Sequence, residues 1–182
     1  MTATTVSTSV NAAVPESERL VVDGLNMVGS LNTPHDVIYA NLRYAIRQQH
    51  PQVWNQPPNG EQVCIVAGGN SLNDTEQELV DLWHAGAKVI TVNGSYQWCL
   101  DRHIKPYAQA IVDARESAVR FVQPDRPDVR YLLASQCHPK VWDAVKGRKL
   151  VGIWHALDRE DPGAPILDEY FCGQWQSGGG GT

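Results

Sequence analysis

The sequence predicts an α/β protein built on a doubly wound, mostly parallel sheet, and two observations support this. First, the chain carries five short apolar runs that are nearly continuous rather than alternating, as is typical of strands buried on both faces of a parallel sheet. Second, helix candidates lie between these runs, and such alternation favours a layered α/β domain. The runs are VCIVA (63–67), KVITV (88–92), AQAIV (108–112), VRYLLA (129–134) and LVGIW (150–154).

Length and composition limit the classes of function that the chain can have. The chain has 182 residues, 42% of them hydrophobic and 19% charged, so a globular domain with a proper core is expected. Its 15 basic and 20 acidic residues give a formal charge of −5. Because binding to nucleic acid or to an anionic membrane needs clustered positive charge, neither is an expected partner. A small anionic ligand held by one or two local arginines remains compatible with this balance.

The cysteines and the first residues indicate a cytoplasmic protein. No basic residue precedes Arg19 and no long apolar run follows, so a signal peptide and a membrane span are not predicted. The cysteines form no CxxC pair, which argues against a structural zinc site and favours small core residues in a reducing compartment. They are Cys64, Cys99, Cys137 and Cys172.

The chain is expected to divide into a solvated tail (1–19), a helical segment with a linker (20–61) and the α/β domain (62–182). In the second part, a helix is predicted from Pro34 to about Gln49, with Thr33 as its N-cap and Pro34 in its first turn.

Three helices are predicted within the α/β domain. The first covers 74–85, with Asn73 as N-cap and Gly86 as its stop. The others cover 95–103 and 139–146, and the last ends at Gly147.

In a sheet of this kind, ligands bind beyond the carboxyl ends of the strands. The loop Gly68, Gly69, Asn70 and Ser71 directly follows the first run and precedes the capped helix. Glycines allow a ligand to approach the backbone, and a helix N-terminus offers N–H groups to a phosphate. The pattern is neither a Walker loop nor GxGxxG. The alternative is a tight turn without a ligand.

Asn93, after the second run, offers a donor and acceptors to a base or ribose. Asp113, after the third run, is a candidate Mg²⁺ ligand, and Arg115 can clamp phosphate. The alternatives are a turn asparagine and a surface ion pair without function.

The fourth run ends in a segment that contains Gln136 and His138, and the fifth is followed by His155. His138 abuts a predicted helix and is a candidate proton carrier or phosphate ligand. The alternative is that His138 only caps that helix. Gln136 and His155 are candidate ligand-binding residues at the same rim.

Taken in order, these motifs resemble those of a known family. The segments are VAGGNSL (66–72), VNG (92–94), IKP (104–106) and VDAR (112–115). They are similar to the MptE-like family, whose archaeal members are 6-hydroxymethylpterin diphosphokinases. The segments ASQCHP (134–139), WHA (154–156) and 178–182 look most like its phage-type members. Domains of motility accessory factors and bacterial sialyltransferases are more distantly similar. Asn70 replaces the family's usual proline, and Tyr107 replaces a frequent aspartate.

The resemblance implies a Rossmann-like fold and a nucleotide-dependent transferase that uses ATP and Mg²⁺. Gly68, Gly69 and Ser71 would hold the phosphates, Asp113 would hold Mg²⁺, and Arg115 with His138 would neutralise charge while a small-molecule acceptor hydroxyl attacks. One alternative is a metal-independent glycosyltransferase of sialyltransferase type. Another is a non-catalytic accessory binding module.

The last residues, Gly178–Thr182, resemble the entrance to a further helix, and Gly179, Gly180 and Thr182 are further candidate cofactor-binding residues. We therefore expect a C-terminally truncated domain with an unfinished surface near 150–182 that favours self-association. Four apolar side chains are expected to be under-covered there, namely Ile153, Trp154, Ile166 and Phe171.

Overall fold

The computed structural model describes residues 33–178 in full, and 19–22 and 25–28 as backbone. The chain divides into two compact units, Met1–Asn32 and Thr33–Thr182. In the first unit, β1 (Arg19–Val22) pairs with β2 (Leu25–Val28) as an antiparallel hairpin. This hairpin was not predicted from the sequence. Most of the predicted tail, 1–19, lies outside the described residues.

The second unit contains a five-stranded, all-parallel sheet, which confirms the predicted α/β class. Each predicted run supplies one strand, and neighbouring strands in the sheet follow chain order. Within the described residues, strand order therefore does not reverse, and the crevice that a reversal opens in a doubly wound sheet is not formed by these five strands. The strands are β3 (Val63–Val66), β4 (Lys88–Val92), β5 (Ala108–Ile111), β6 (Arg130–Ala134) and β7 (Val151–Trp154).

Helices connect and cover the strands. They are α1 (His35–Ile46), α2 (Glu76–His84), α3 (Ser95–Asp101), α4 (Pro139–Ala144) and α5 (Ala164–Phe171), with 3₁₀ helices at Asn70–Leu72 and Glu116–Val122. The predicted stops are confirmed, because Gly86 and Gly147 have φ of 98° and 82°, which glycine adopts without strain.

Two predicted N-caps are wrong. Pro34, not Thr33, precedes the first residue of α1. Helix α2 begins at Glu76, two residues later than predicted, and no side chain caps it. The Asn73 side chain instead accepts a hydrogen bond from the Trp98 indole, 3.0 Å from Nε1 to Oδ1. A tertiary contact therefore outweighs the local capping preference.

The core lies mainly between the helices and one face of the sheet. A large cluster contains Tyr131, Leu133, Trp142 and Leu167, all fully buried. A smaller cluster lies between β3, β4, α2 and α3 and includes buried Cys99. The prediction that the cysteines are core residues is confirmed for Cys99 and Cys137, whereas Cys64 is half-buried and Cys172 is exposed.

The two edges of the sheet differ. At β7, the Val53 N–H donates to the Ile153 carbonyl (2.8 Å) and the Gly178 N–H donates to the His155 carbonyl (2.7 Å), so flanking segments cover this edge. At β3, no second strand pairs among the described residues, and Ile65 is 74% exposed.

The prediction of an under-covered surface near 150–182 is wrong for Ile153 and for the edge of β7. Ile153 is 1% exposed, and Trp154, Ile166 and Phe171 are partly buried against the core. Ile153 is therefore covered, and self-association through this surface stays a prediction. The exposed apolar edge is instead β3, at the opposite side of the sheet. No described helix is long and apolar enough to span a bilayer.

Candidate functional site

The carboxyl ends of the five parallel strands form one edge of the sheet, and the loops that follow them carry the predicted site residues. Adjacent strands lie about 4.8 Å apart, so the ends of β3 and β6 are separated by about 14 Å. The loop after β3, Asn93, Asp113 and Gln136 therefore lie along one continuous rim, in chain order.

The glycine loop after β3 is open to solvent. A Cβ added at Gly68 would meet nothing within 4 Å, and one at Gly69 would meet only the Ser71 Oγ, at 3.6 Å. The backbone N–H groups of Gly68, Asn70 and Ser71 meet no acceptor among the described residues. Such a row of unpaired N–H groups is the usual backbone site for an anion.

The donors belong to the 3₁₀ turn rather than to α2, which corrects the prediction that the α2 N-terminus would hold the phosphate. Helix α2 starts at Glu76, six residues after the first residue of the 3₁₀ turn, and its first turn carries Glu76 and Glu78. These carboxylates already complement the positive end of that helix, and Glu76 is itself paired with Arg102, 2.7 Å from Oε2 to Nε.

A cavity of about 370 Å³ adjoins this loop between β3 and α2. Its walls are mainly apolar and include Ile65, Leu72 and Leu79, with Gly69 and Ser71 at one end. The loop therefore combines backbone donors with a neighbouring apolar space.

Asn93 is locked in place at the end of β4. It has a φ of 49°, its Oδ1 accepts a hydrogen bond from the Val112 N–H (3.2 Å), and its carbonyl accepts one from Gln109 Nε2 (2.8 Å). The Asn93 Nδ2 group donates to none of the described residues and remains available to a ligand, which fits the predicted role.

Gln136 and Asn41 tie the loops after β5 and β6 together. Gln136 Nε2 donates to the Val112 carbonyl at 2.8 Å. Asn41 of α1 donates through Nδ2 to the carbonyls of Ala114 and Gln136, both at 3.1 Å, and is 3% exposed. Sequence reasoning missed Asn41, although a lone amide on the buried stripe of α1 is a usable signal.

Ser95 performs the same role between β3 and β4. Its buried Oγ donates to the Val66 carbonyl (2.5 Å) and accepts from the Val92 N–H (2.9 Å). Together with Asn93, Gln136 and Asn41, it joins four consecutive strand ends in one hydrogen-bonded rim. Such a rim holds its remaining donors in fixed positions before a ligand arrives.

Asp113 and Arg115 form a bidentate ion pair. The Arg115 Nη2 lies 2.6 Å from Oδ2 and its Nε lies 2.9 Å from Oδ1, and the Arg115 backbone N–H also donates to Oδ1 at 2.9 Å. These hydrogen bonds lower the pKa of Asp113, so the carboxylate stays ionised. The surface ion pair considered from the sequence is therefore present.

Asp113 is the candidate ligand for Mg²⁺ at the rim. Among the described residues, no group of three or more His, Cys, Asp or Glu side chains could hold a metal ion. Mg²⁺ is often bound by one carboxylate with phosphate oxygens and water. Asp113 could hold Mg²⁺ only in that mode. Its carboxylate would then contact both the ion and the Arg115 guanidinium.

His138 caps α4. Its Nδ1 accepts a hydrogen bond from the Lys140 N–H at 3.2 Å, so the neutral ring carries its proton on Nε2. That Nε2 lies 4.0 Å from Glu116 Oε2. The other oxygen of the same carboxylate, Oε1, pairs with Lys140. The ring can therefore donate to a ligand oxygen, but it cannot take a proton on Nδ1 without losing the cap.

His155 lies inside the protein rather than at the rim. It is 1% exposed, its Nε2 lies 3.1 Å from Gln52 Oε1, and its ring packs against Phe171 and Trp175. Burial lowers the pKa of His155 to about 4. This geometry does not support contact between His155 and a ligand at the rim.

The remaining residues that the sequence analysis named offer no ligand group at the rim among the described residues. Burial raises the pKa of the Cys137 thiol, whose Sγ donates to the Ile111 carbonyl. Tyr107 precedes β5 at the amino edge of the sheet, so its replacement of an aspartate removes no ligand from the carboxyl edge. The candidates Gly179, Gly180 and Thr182 lie outside the described residues.

Comparison with known proteins gives one strong match. A family model described as 6-hydroxymethylpterin diphosphokinase MptE-like matches residues 37–175. A search of curated protein sequences found no match. Among solved structures, the chain is similar to the MAf glycosyltransferase from Magnetospirillum magneticum AMB-1, with a TM-score of 0.48 and 15% identity. The alignment covers 69% of this chain and 21% of that chain, so this chain spans about a fifth of that protein.

Proposed function

Because the chain belongs to the MptE-like family, we propose that it is a transferase that moves a diphosphoryl group from ATP to the hydroxyl of a small molecule. Membership of this family indicates a transferase-type function. The choice of ATP and of a diphosphoryl group extends the family's description to this chain. The observation that best supports the proposal is the row of backbone N–H groups at Gly68, Asn70 and Ser71, which meet no acceptor among the described residues.

The glycine loop would hold the phosphates. Its three N–H groups point away from any acceptor in the described part of the chain, and no side chain fills the space above Gly68. Asn93 Nδ2, fixed one strand away by the Val112 N–H, would contact the nucleoside or the acceptor. Because the donors of such a site are already in position, they stabilise the charge on the transferred group without having to move during the reaction.

Asp113 and Arg115 would hold Mg²⁺ and a phosphate oxygen, respectively. Arg115 can turn from the carboxylate to a phosphate because both groups offer it the same bidentate geometry. When bound, Mg-ATP would supply the diphosphoryl group: the acceptor oxygen would bond to the β-phosphorus as the bond from that phosphorus to the α–β bridging oxygen breaks. AMP would leave with the bridging oxygen, and the hydroxyl proton would pass to solvent water. His138, as a neutral Nε2–H donor, would hydrogen-bond a phosphate oxygen rather than remove the hydroxyl proton.

A thermal-shift series tests this proposal. The ligands are ATP–Mg²⁺, GTP–Mg²⁺, CMP and CMP-sialic acid, each with and without EDTA. A ligand at about 100 times its Kd adds about 2.7 kcal/mol to the stability of the folded state. Stabilisation by ATP that EDTA abolishes supports the diphosphokinase proposal. Metal-independent stabilisation by CMP would favour the glycosyltransferase, and no response to any ligand would favour a non-catalytic module.

The Gly69→Val variant localises the binding. Gly69 has an extended backbone (φ −87°, ψ 154°) that valine adopts readily, so the fold should persist. The branched side chain would stand where the phosphates approach, and nucleotide affinity should fall at least about tenfold. The smaller Gly69→Ala change should weaken binding less. Parental affinity in a folded Gly69→Val protein would remove the loop from the site.

A further inference from the structure

A second cavity lies on the sheet at the amino edge, opposite the rim that carries the proposed nucleotide site. It has a volume of about 430 Å³, within the range of small-molecule pockets. The amino-edge pocket, as we call it, lies between the strands β5–β7 and the linker at 51–56. Its lining residues include Trp54, Tyr107, Arg130, Leu132, Lys149 and Leu150.

One wall of the amino-edge pocket is fixed by the sheet. The linker follows β7 in parallel, because the Val53 N–H donates to the Ile153 carbonyl (2.8 Å) and the Ile153 N–H donates to the Pro51 carbonyl (2.9 Å). A Cβ at Gly152 would lie only 2.9 Å from the Val53 side chain, so a glycine is needed for this close approach. The linker therefore forms a wall of the pocket that backbone hydrogen bonds hold in place.

The lining of the pocket is positively charged. Its lining contains Arg130 and Lys149 and no aspartate or glutamate. Neither cation has a carboxylate within 4.0 Å among residues 33–178, whereas the nearby Lys88 and Lys105 are paired with Glu61 and Asp128. This local excess is notable in a chain whose formal charge is −5.

The remaining surface of the pocket is aromatic and aliphatic. The Trp54 side chain is 40% exposed and Tyr107 is 38% exposed, although both are large apolar groups that are usually covered. The Arg130 guanidinium lies 5.1 Å from the centre of the Tyr107 ring, which holds the cation beside the aromatic surface. Leu132 and Leu150 complete the apolar lining.

We propose that the amino-edge pocket binds a small aromatic anion, with one planar ring against Trp54 and Leu132 and one phosphate or carboxylate group between Arg130 and Lys149. The apolar walls favour burial of a ring, and two cations that have no carboxylate partner among residues 33–178 favour a single anionic group. The site is separate from the glycine loop, because one lies at the amino ends and the other at the carboxyl ends of the strands. The inference therefore stands whether or not the proposed transferase function is correct.

Isothermal titration of the full chain tests the proposal, with phenyl phosphate as the probe. Inorganic phosphate supplies the charge without the ring, and phenol supplies the ring without the charge. We expect phenyl phosphate to bind at least about tenfold more tightly than either. Equal affinity for inorganic phosphate would overturn the assignment of the ring site, and equal affinity for phenol would overturn that of the anion site.

Variants localise the binding. Lys149→Gln and Arg130→Gln should each weaken the binding of phenyl phosphate about tenfold. Lys146→Gln removes the same charge from an exposed lysine outside the pocket and serves as the matched control. Since Lys149 is exposed, its variant should fold even if Arg130→Gln does not. Gly69→Val should leave this binding unchanged. Parental affinity in Lys149→Gln, or the same loss in Lys146→Gln, would refute the site.

Discussion

Replacement of Asn41 by alanine should loosen the rim at the carboxyl edge of the sheet. The change removes two hydrogen bonds of 3.1 Å, to the carbonyls of Ala114 and Gln136. Each bond contributes about 1 kcal/mol, and a buried carbonyl left unpaired costs about 1 kcal/mol more. Alanine returns about 0.6 kcal/mol through its higher helix propensity. The expected loss in the free energy of unfolding is therefore about 2–3 kcal/mol.

Urea denaturation measures this loss directly, and the melting temperature should fall by roughly 5–10 °C for a protein of this size. Gln48→Ala is a matched control, because Gln48 Nε2 donates only one local hydrogen bond, to the Tyr44 carbonyl at 3.2 Å. Its change should cost less than about 1 kcal/mol. If Asn41→Ala is no more destabilising than Gln48→Ala, the rim is not held together as we describe.

Three further predictions concern other positions. The pKa of His155 falls from 6.5 to about 4 on folding, so its contribution to stability is present above pH 6.5 and is lost as the pH falls towards 4. The parent should therefore lose about 3 kcal/mol more than His155→Gln in denaturation between pH 7 and pH 4. Gly163→Ala should cost about 1–3 kcal/mol in urea denaturation, because its Cβ would lie 2.6 Å from Tyr39 and 2.7 Å from Leu157. Asp113→Asn should abolish the Mg²⁺ dependence of ATP binding with little change in melting temperature; EDTA sensitivity equal to the parent's would refute its metal role.

The strands could be predicted from the sequence because their signal is local. Each of the five apolar runs is continuous over a strand's length, and burial on a parallel sheet requires that pattern. The rim followed from the same strands, since the carboxyl ends of parallel strands must share an edge. Gly68, Asn93 and Asp113 therefore lie where the sequence placed them.

Features that depend on distant contacts could not be predicted. The side-chain oxygen of Asn73 does not cap α2 but accepts a hydrogen bond from the Trp98 indole, 25 residues later in the chain. His155 follows a strand like the other candidates, yet Gln52 and Trp175 bury it. No local sequence pattern predicts these hydrogen-bonding and packing partners, because each lies in a segment whose position depends on the whole fold.

The C-terminal surface shows the same limit. The sequence suggested that Ile153 would lack cover, but a linker at 51–53 pairs with β7 and buries it. The exposed edge at β3 could not be identified either, since the sequence of a strand does not determine which strands lie beside it in the sheet.

The central claim is that a nucleotide's phosphates bind the glycine loop, and backbone amide NMR tests it most directly. Titration with ATP–Mg²⁺ should move the amide resonances of Gly68, Asn70 and Ser71 most strongly, followed by the side-chain amide of Asn93. A control titration with phenyl phosphate should move resonances at the amino edge instead. If ATP–Mg²⁺ leaves the amides of Gly68, Asn70 and Ser71 unmoved, or shifts residues elsewhere most strongly, the phosphate site is not this loop and the proposed function fails.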